Sequence, residues 1–175
     1  MTKSDSQPQV ELIRATPKDQ PTLENLLELY AYDFSEFFPV EIGEDGRFGY
    51  PQLPLYWSEA DRHAFLLRID GKLAGFALVK KNAATSGEGT GHVWDMAEFF
   101  VLRSYRRLGA GVQMAHQIWR RFPGAWEIRV MRENTRGQNF WPRAIESFTG
   151  EIAAPIYMEH GAKRWTLYAF VSKLL

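Results

Sequence analysis

The chain has 175 residues, 45% of them apolar and 14% aromatic, a length that suits one domain and a composition that fills its core without metal or disulfide staples. Lys plus Arg number 21 and Asp plus Glu number 21, so the charge balance favours neither nucleic acid nor an anionic membrane as the main partner. There is no cysteine, which excludes a thiol nucleophile, a zinc–thiolate centre and a disulfide framework.

The opening MTKSDSQPQV is polar and lacks the apolar run of a signal peptide, and no stretch approaches the ~20 apolar residues that span a bilayer. The expectation is a cytoplasmic protein with a disordered tail over residues 1–9 and a single domain over residues 10–175. Val10–Arg14 reads as a strand. Thr16, Pro17 and Asp19 are placed as the N-cap, first helical residue and capping-box acid of a helix, and Leu23, Leu26, Leu27 and Tyr30 carry its periodicity to about Tyr32. Phe34–Trp57 is aromatic and rich in Gly and Pro, the composition of an ordered loop.

Ala64–Ile69 and Leu73–Lys80 flank Asp70-Gly71-Lys72 and form a predicted hairpin. Asn82–Gly91 is small and polar, a predicted mobile connection, and Val93–Leu102 is a strand that becomes apolar on both faces. A helix over Gly109–Phe122 is ended by Pro123-Gly124. Trp126–Met131 is a strand, and Asn134–Phe148 is a helix despite Gly137 and Pro142. Arg164–Ser172 closes the chain as a strand, with Ile152–Met158 as its candidate partner. The order predicts a mixed α/β domain with one central crossover.

The junction from Phe99 to Gly111 is a strand, a tight turn and a helix start. The first amides of a helix have no intrahelical partner and sit at the positive end of its dipole, which makes an anion site. Gly109 and Gly111 keep the backbone accessible, and Arg103, Arg106 and Arg107 add charge. The residues fit neither a Walker A loop nor a three-glycine dinucleotide fingerprint.

Val101-x4-Arg106-x-x-Gly109-x-Gly111 resembles the acetyl-CoA motif of the GNAT superfamily of N-acetyltransferases, and Asn134-x-x-Gly137-x-x-Phe140-Trp141 is similar to the family's motif on the following helix. The segment WDMAEFFVLRSYRRLGAG resembles bacterial predicted acetyltransferases of unassigned substrate. The resemblance implies a mostly antiparallel mixed sheet of six or seven strands, split by a V-shaped gap and flanked by about four helices. It implies acetyl-CoA as co-substrate and no metal. Pantetheine would pair with the backbone of Phe99, Phe100 and Val101, and the pyrophosphate would rest on Arg106, Arg107, Leu108, Gly109, Ala110 and Gly111. Asn134 would contact the pantetheine arm or the cofactor tail, and Trp141 would pack beside the cofactor.

Acetyl transfer to an amine needs a base for the ammonium and relief for the leaving thiolate. Two strand acids compete for the first role. Asp95 matches the carboxylate position of histone-type acetyltransferases, whereas Glu98 lies nearer the acetyl end among apolar neighbours that would raise its pKa. Strand alternation places the two on opposite faces unless a bulge intervenes. Trp141 stands where the family often has a thiolate-protonating tyrosine, leaving Tyr168, Tyr157 or water. His92 and His160 read as surface residues, and neither a metal cluster nor a Gly-x-Ser-x-Gly elbow is present.

The acceptor pocket is expected from the N-terminal helix and the Phe34–Trp57 loop, whose aromatics and acids suit a cationic amine. The expected function is N-acetylation of a small-molecule primary amine, by a monomer or homodimer without nucleic-acid or membrane partners. A protein or peptide amine is the less favoured acceptor. The alternatives are a catalytically silent acyl-CoA sensor and an interaction module built on the aromatic loop.

Overall fold

The computed structural model describes residues 8–85 and 91–173. Residues 1–7 of the expected tail and 86–90 of the expected connection lie outside the described residues. The chain runs through β1 (Val10–Arg14), a 3-10 turn at Pro17–Asp19, α1 (Gln20–Phe34) and α2 (Leu55–Ser58). Then come β2 (Arg62–Ile69), β3 (Lys72–Ala83), β4 (His92–Val101), a second 3-10 turn at Arg103–Tyr105 and α3 (Ala110–Arg121). β5 (Gly124–Met131), α4 (Thr135–Thr149), β6 (Pro155–His160) and β7 (Lys163–Ser172) complete it.

Local chemistry accounts for most of these boundaries. Thr16 and Asp19 form the capping box, although its first turn is 3-10 before α1 begins. Asp70 and Gly71 both take positive φ, the requirement of the tight β2–β3 turn. Asn134 caps α4 by accepting from the Gly137 amide at 2.8 Å. One correction concerns the aromatic loop, which ends in α2, so that Trp57 is helical. Leu53 and Tyr56 are buried against the sheet there, and that packing favours a helical turn in a segment of weak propensity.

The seven strands form one sheet in the order β1-β2-β3-β4-β5-β7-β6. Every pairing is antiparallel except β4–β5. One face is covered by α3 and α4, where Met114, Ile118, Trp119, Trp141 and Ile145 meet Phe65, Ala77, Val79 and Met96. The other is covered by α1 and α2, where Leu23, Leu26, Leu27 and Tyr56 meet Leu66, Phe76, Leu78 and Phe100.

Two features of β4 position the site. The register passes from Val79–Met96 to Leu78–Glu98, so Ala97 has no partner opposite it on β3 and forms a β-bulge. The β4–β5 register consists of Trp94–Trp126 and Asp95–Glu127. Beyond it β4 stays with β3 while β5 follows β7, which opens a V between them. A bulge bends and overtwists its strand, and this one begins where the parallel pairing stops.

Gly75 permits the close approach of β3 to β4, because a Cβ there would lie 2.1 Å from the Phe100 carbonyl oxygen. Gly75→Ala is expected to destabilise the protein by about 1–3 kcal/mol. A shift of the urea midpoint to lower concentration checks this, and an unchanged midpoint would contradict the close approach.

Candidate active site

The loop between β4 and α3 has two left-handed residues, Arg107 at φ 66° and Gly109 at φ 76°. Gly109 is the N-cap of α3, and its carbonyl accepts the Gln113 amide at 3.1 Å. The amides of Ala110, Gly111 and Val112 precede that first intrahelical bond, and they supply the donors and positive dipole expected of an anion site. Gly111 has a different reason for being glycine. A Cβ there would come within 3.3 Å of the Phe140 ring, so its smallness serves the packing of α4 against α3.

The nearby arginines are arranged differently from the sequence expectation. Arg106 donates from Nε to the Val101 carbonyl at 2.7 Å and from Nη2 to Asp33 at 2.8 Å. Arg103 donates to the other oxygen of Asp33 from Nε at 2.8 Å and Nη2 at 2.6 Å. Burial alone would raise the Asp33 pKa, but the bonds from Arg106 and Arg103 hold it below its ordinary value. These two guanidiniums therefore tie the loop to the end of α1, while Arg107 stands exposed. Arg136, from the first turn of α4, pairs with Glu36 and completes the basic lining of a cleft of about 690 Å³ that also contains Tyr32 and Asp33.

Both candidate acids lie on the α1 face, contrary to the expectation of opposite faces. Cross-strand partners share a face, and Asp95 pairs with Lys80 while Glu98 pairs with Leu78. The extra residue, Ala97, resets the two-residue alternation. The environments of the two acids then diverge. Asp95 is only 2% exposed, and its carboxylate is bound by Arg129 of β5 and by Asn82 Nδ2 at 2.8 Å. Its pKa is nevertheless raised, because burial outweighs Arg129.

Glu98 is half-buried and sits three residues past the last β4–β5 pair, beyond the point where the two strands part. Tyr50 donates its hydroxyl to Glu98 Oε1 at 3.0 Å, and the Tyr30 phenol also hydrogen bonds to this carboxylate. Burial raises the Glu98 pKa, and the two phenols oppose that shift without cancelling it. Asp95 is thus a buried acid paired with a cation, while Glu98 is held by two phenols. The tyrosine contacts carried no sequence signal beyond an aromatic-rich loop.

On the opposite face Phe99 packs on Phe140 and Trp141, at ring-centroid distances of 5.7 and 4.8 Å. Trp141 also meets Trp119 and is buried in that cluster. Tyr168 donates to Gln138 Oε1 at 3.2 Å, and Gln138 Nε2 donates to the Met131 carbonyl at 3.0 Å. Tyr157 lies under Arg132 and is 66% exposed. The Asn134 side-chain oxygen is engaged in its cap.

Several residues of the aromatic loop and of α1 are core. Tyr30 packs edge-on against Phe76 and Phe100, and Leu53 and Tyr56 are buried. Glu28 of α1 grips the loop by accepting the amides of Phe48 at 2.8 Å and Gly49 at 2.9 Å. A cleft of about 660 Å³ in this segment is lined by Glu24, Glu41, Asp45, Arg47 and Tyr50. His92 and His160 are exposed. Among the described residues no group of three or more His, Asp or Glu is placed to hold a metal ion, and no helix is long and apolar enough to cross a membrane.

A model of the acetyltransferase (GNAT) family matches residues 23–144. No curated protein sequence matches the chain. Among solved structures, a histone acetyltransferase HPA2 and related acetyltransferase from Corynebacterium glutamicum superposes with a TM-score of 0.66 at 17% identity, over 97% of this chain and 99% of that one. An acetyltransferase from Thermus thermophilus gives 0.62 at 17% identity, over 93% and 96%. Arabidopsis thaliana NAA60 in complex with acetyl-CoA gives 0.58 at 15% identity, over 93% and 98%. At these identities the structures share the fold.

The raised pKa of Glu98 has a consequence for stability. A carboxyl whose folded pKa exceeds its unfolded value is compatible with the fold below the unfolded value, and stability is lost as pH rises through the folded one. Glu98→Gln removes that loss. The variant is expected to unfold at a higher temperature than the parent at pH 8 and at the same temperature at pH 4. Calorimetric scans at both values check it, and a variant less stable at pH 8 would contradict a raised pKa.

Proposed function

This chain belongs to the acetyltransferase (GNAT) family, and from that premise we propose that it moves an acetyl group from acetyl-CoA to a primary amine of a small molecule in a ternary complex, with Glu98 as the base. The observation that carries the proposal is the position of Glu98. The bulge turns this acid to the α1 face just past the point where β4 and β5 part, and burial raises its affinity for a proton.

The residues present fit acetyl-CoA. A Cβ built on Gly109 would meet nothing within 4 Å, so the left-handed turn lies open at the amides that start α3. Those amides, with the loop amides from Arg107 onward, would hold the pyrophosphate, and the exposed Arg107 side chain stands in the same loop. The β4 edge at Phe99–Val101, which has left β5, would receive pantetheine as if it were a strand. Bound there, acetyl-CoA supplies an activated thioester.

An alkylammonium has no lone pair, so the acceptor must lose a proton before it attacks. Glu98 takes that proton, because its raised pKa makes it a better base than an ordinary carboxylate. Asp95, already bound by Arg129 and Asn82, holds the two strands together at the apex of the V. A thiol with a pKa of about 8.5 leaves as its anion near neutral pH without a dedicated acid, which accommodates Trp141 in place of a tyrosine. The reading is of a cytoplasmic enzyme that needs no metal. A catalytically silent acyl-CoA-binding protein is the second reading, and Trp141 is the residue that favours it.

Two variants test the proposal, with calorimetry for acetyl-CoA binding and thiol release over a panel of primary amines for turnover. Gly109→Val forces a β-branched residue into a left-handed turn and is expected to weaken acetyl-CoA binding at least about tenfold. Glu98→Gln is expected to bind acetyl-CoA normally and to lose about 10²–10⁴ in kcat/KM. Binding without thiol release on any amine would select the silent reading.

A further inference from the structure

We infer that Tyr50 is a positioning residue for the transfer: its hydroxyl, delivered by the loop between α1 and α2, fixes the Glu98 carboxylate and ties its state to the order of that loop. The inference deepens the reading of Glu98 as base and rests on it only for the catalytic consequence.

The contact is built from two sides. On the loop side, Glu28 of α1 accepts the amides of Phe48 and Gly49 at 2.8 and 2.9 Å, the two residues directly before Tyr50. Gly49 takes a φ of 69°, a conformation that turns the chain inward and that glycine adopts at no steric cost. On the sheet side, the Ala97 bulge turns Glu98 to the same face, and the Tyr50 hydroxyl reaches Oε1 at 3.0 Å. Tyr50 also lines the cleft in the loop, so it connects the acceptor side of the molecule to the carboxylate.

The groups that face Glu98 from each packed element decide the sign of the effect. Tyr30 of α1 and Tyr50 of the loop donate to the carboxylate and stabilise its charged form. Asp95 of β4 disfavours that form, and Lys80 of β3 favours it. Tyr56 of α2 lies behind Tyr50, its own pKa pushed up to about 12 chiefly by burial, so it stays a neutral phenol. Both donating phenols are likewise raised and remain protonated donors. In the transfer the ammonium N–H bond breaks as an O–H bond forms on Glu98, and Tyr50 keeps its own proton throughout. Its bond steadies the carboxylate before the proton arrives and weakens when the charge is neutralised.

The test uses the full-length protein with carbon-13 carboxyl-labelled glutamate, read by NMR against pH, with the Glu98 signal assigned by its loss in Glu98→Gln. Tyr50→Phe keeps the ring and removes only the hydroxyl. It is expected to raise the Glu98 midpoint by about one pH unit, since a hydrogen bond to a charged group is lost. The acid limb of kcat/KM, measured with whichever amine the panel identifies, should move up with it and leave the plateau rate within a few fold. An unchanged Glu98 midpoint overturns the inference, as does a rate lowered equally at all pH values. A shifted midpoint with an unmoved acid limb keeps the Tyr50 contact and overturns Glu98 as base.

Discussion

One extra residue in β4 organises the rest of the site. Without Ala97, the two-residue alternation of a strand would send Asp95 and Glu98 to opposite faces. With it, both acids share the α1 face, and the strand bends away just after its last pairing with β5. The same irregularity therefore lies where the strands part and brings a second carboxylate to the α1 face.

The two acids end with different chemistry because their partners differ. Asp95 meets a full positive charge, from Arg129 on the neighbouring strand, and an amide from Asn82. A second acid at the apex, Glu127, accepts the Thr85 amide at 2.9 Å. Charge pairing across β4 and β5 suits a structural role at the point where the strands are about to part. Glu98 meets phenols instead, which orient a carboxylate without neutralising it. Between two carboxylates on one strand, the groups that touch each oxygen set their different environments.

Helix α1 is the common support. Glu28 grips the loop amides, Tyr30 reaches Glu98 and Asp33 collects Arg103 and Arg106. The buried leucines of the same helix, Leu23, Leu26 and Leu27, hold it on the sheet. The β4–α3 loop, Glu98 and the aromatic loop are thus all tied to one helix, which fixes their relative placement.

Local signals were legible where local physics decides. The Asp70-Gly71 turn, the Thr16 capping box, the glycine at 109 and the Asn134 cap could be read directly, because each satisfies a conformational demand within a few residues. Periodicity placed the strands and the helices other than α2 to within a few residues, and the motif around Gly109 marked the family. The partners of the charged residues were not legible. Arg103 and Arg106 looked like ligand groups, yet both bind Asp33, some seventy residues earlier in the chain. Tyr50 is 48 residues from Glu98 and no spacing rule joins them. By itself, then, the sequence determined the order of elements, the glycine turn that starts α3 and the acyl-transfer class, because turn chemistry, capping and apolar period act over short range. The faces of Asp95 and Glu98, and with them the contacts that distinguish the two acids, were decided only in the tertiary structure. A bulge is set by how two strands pair, and a carboxylate takes its chemistry from groups that folding brings in from elsewhere.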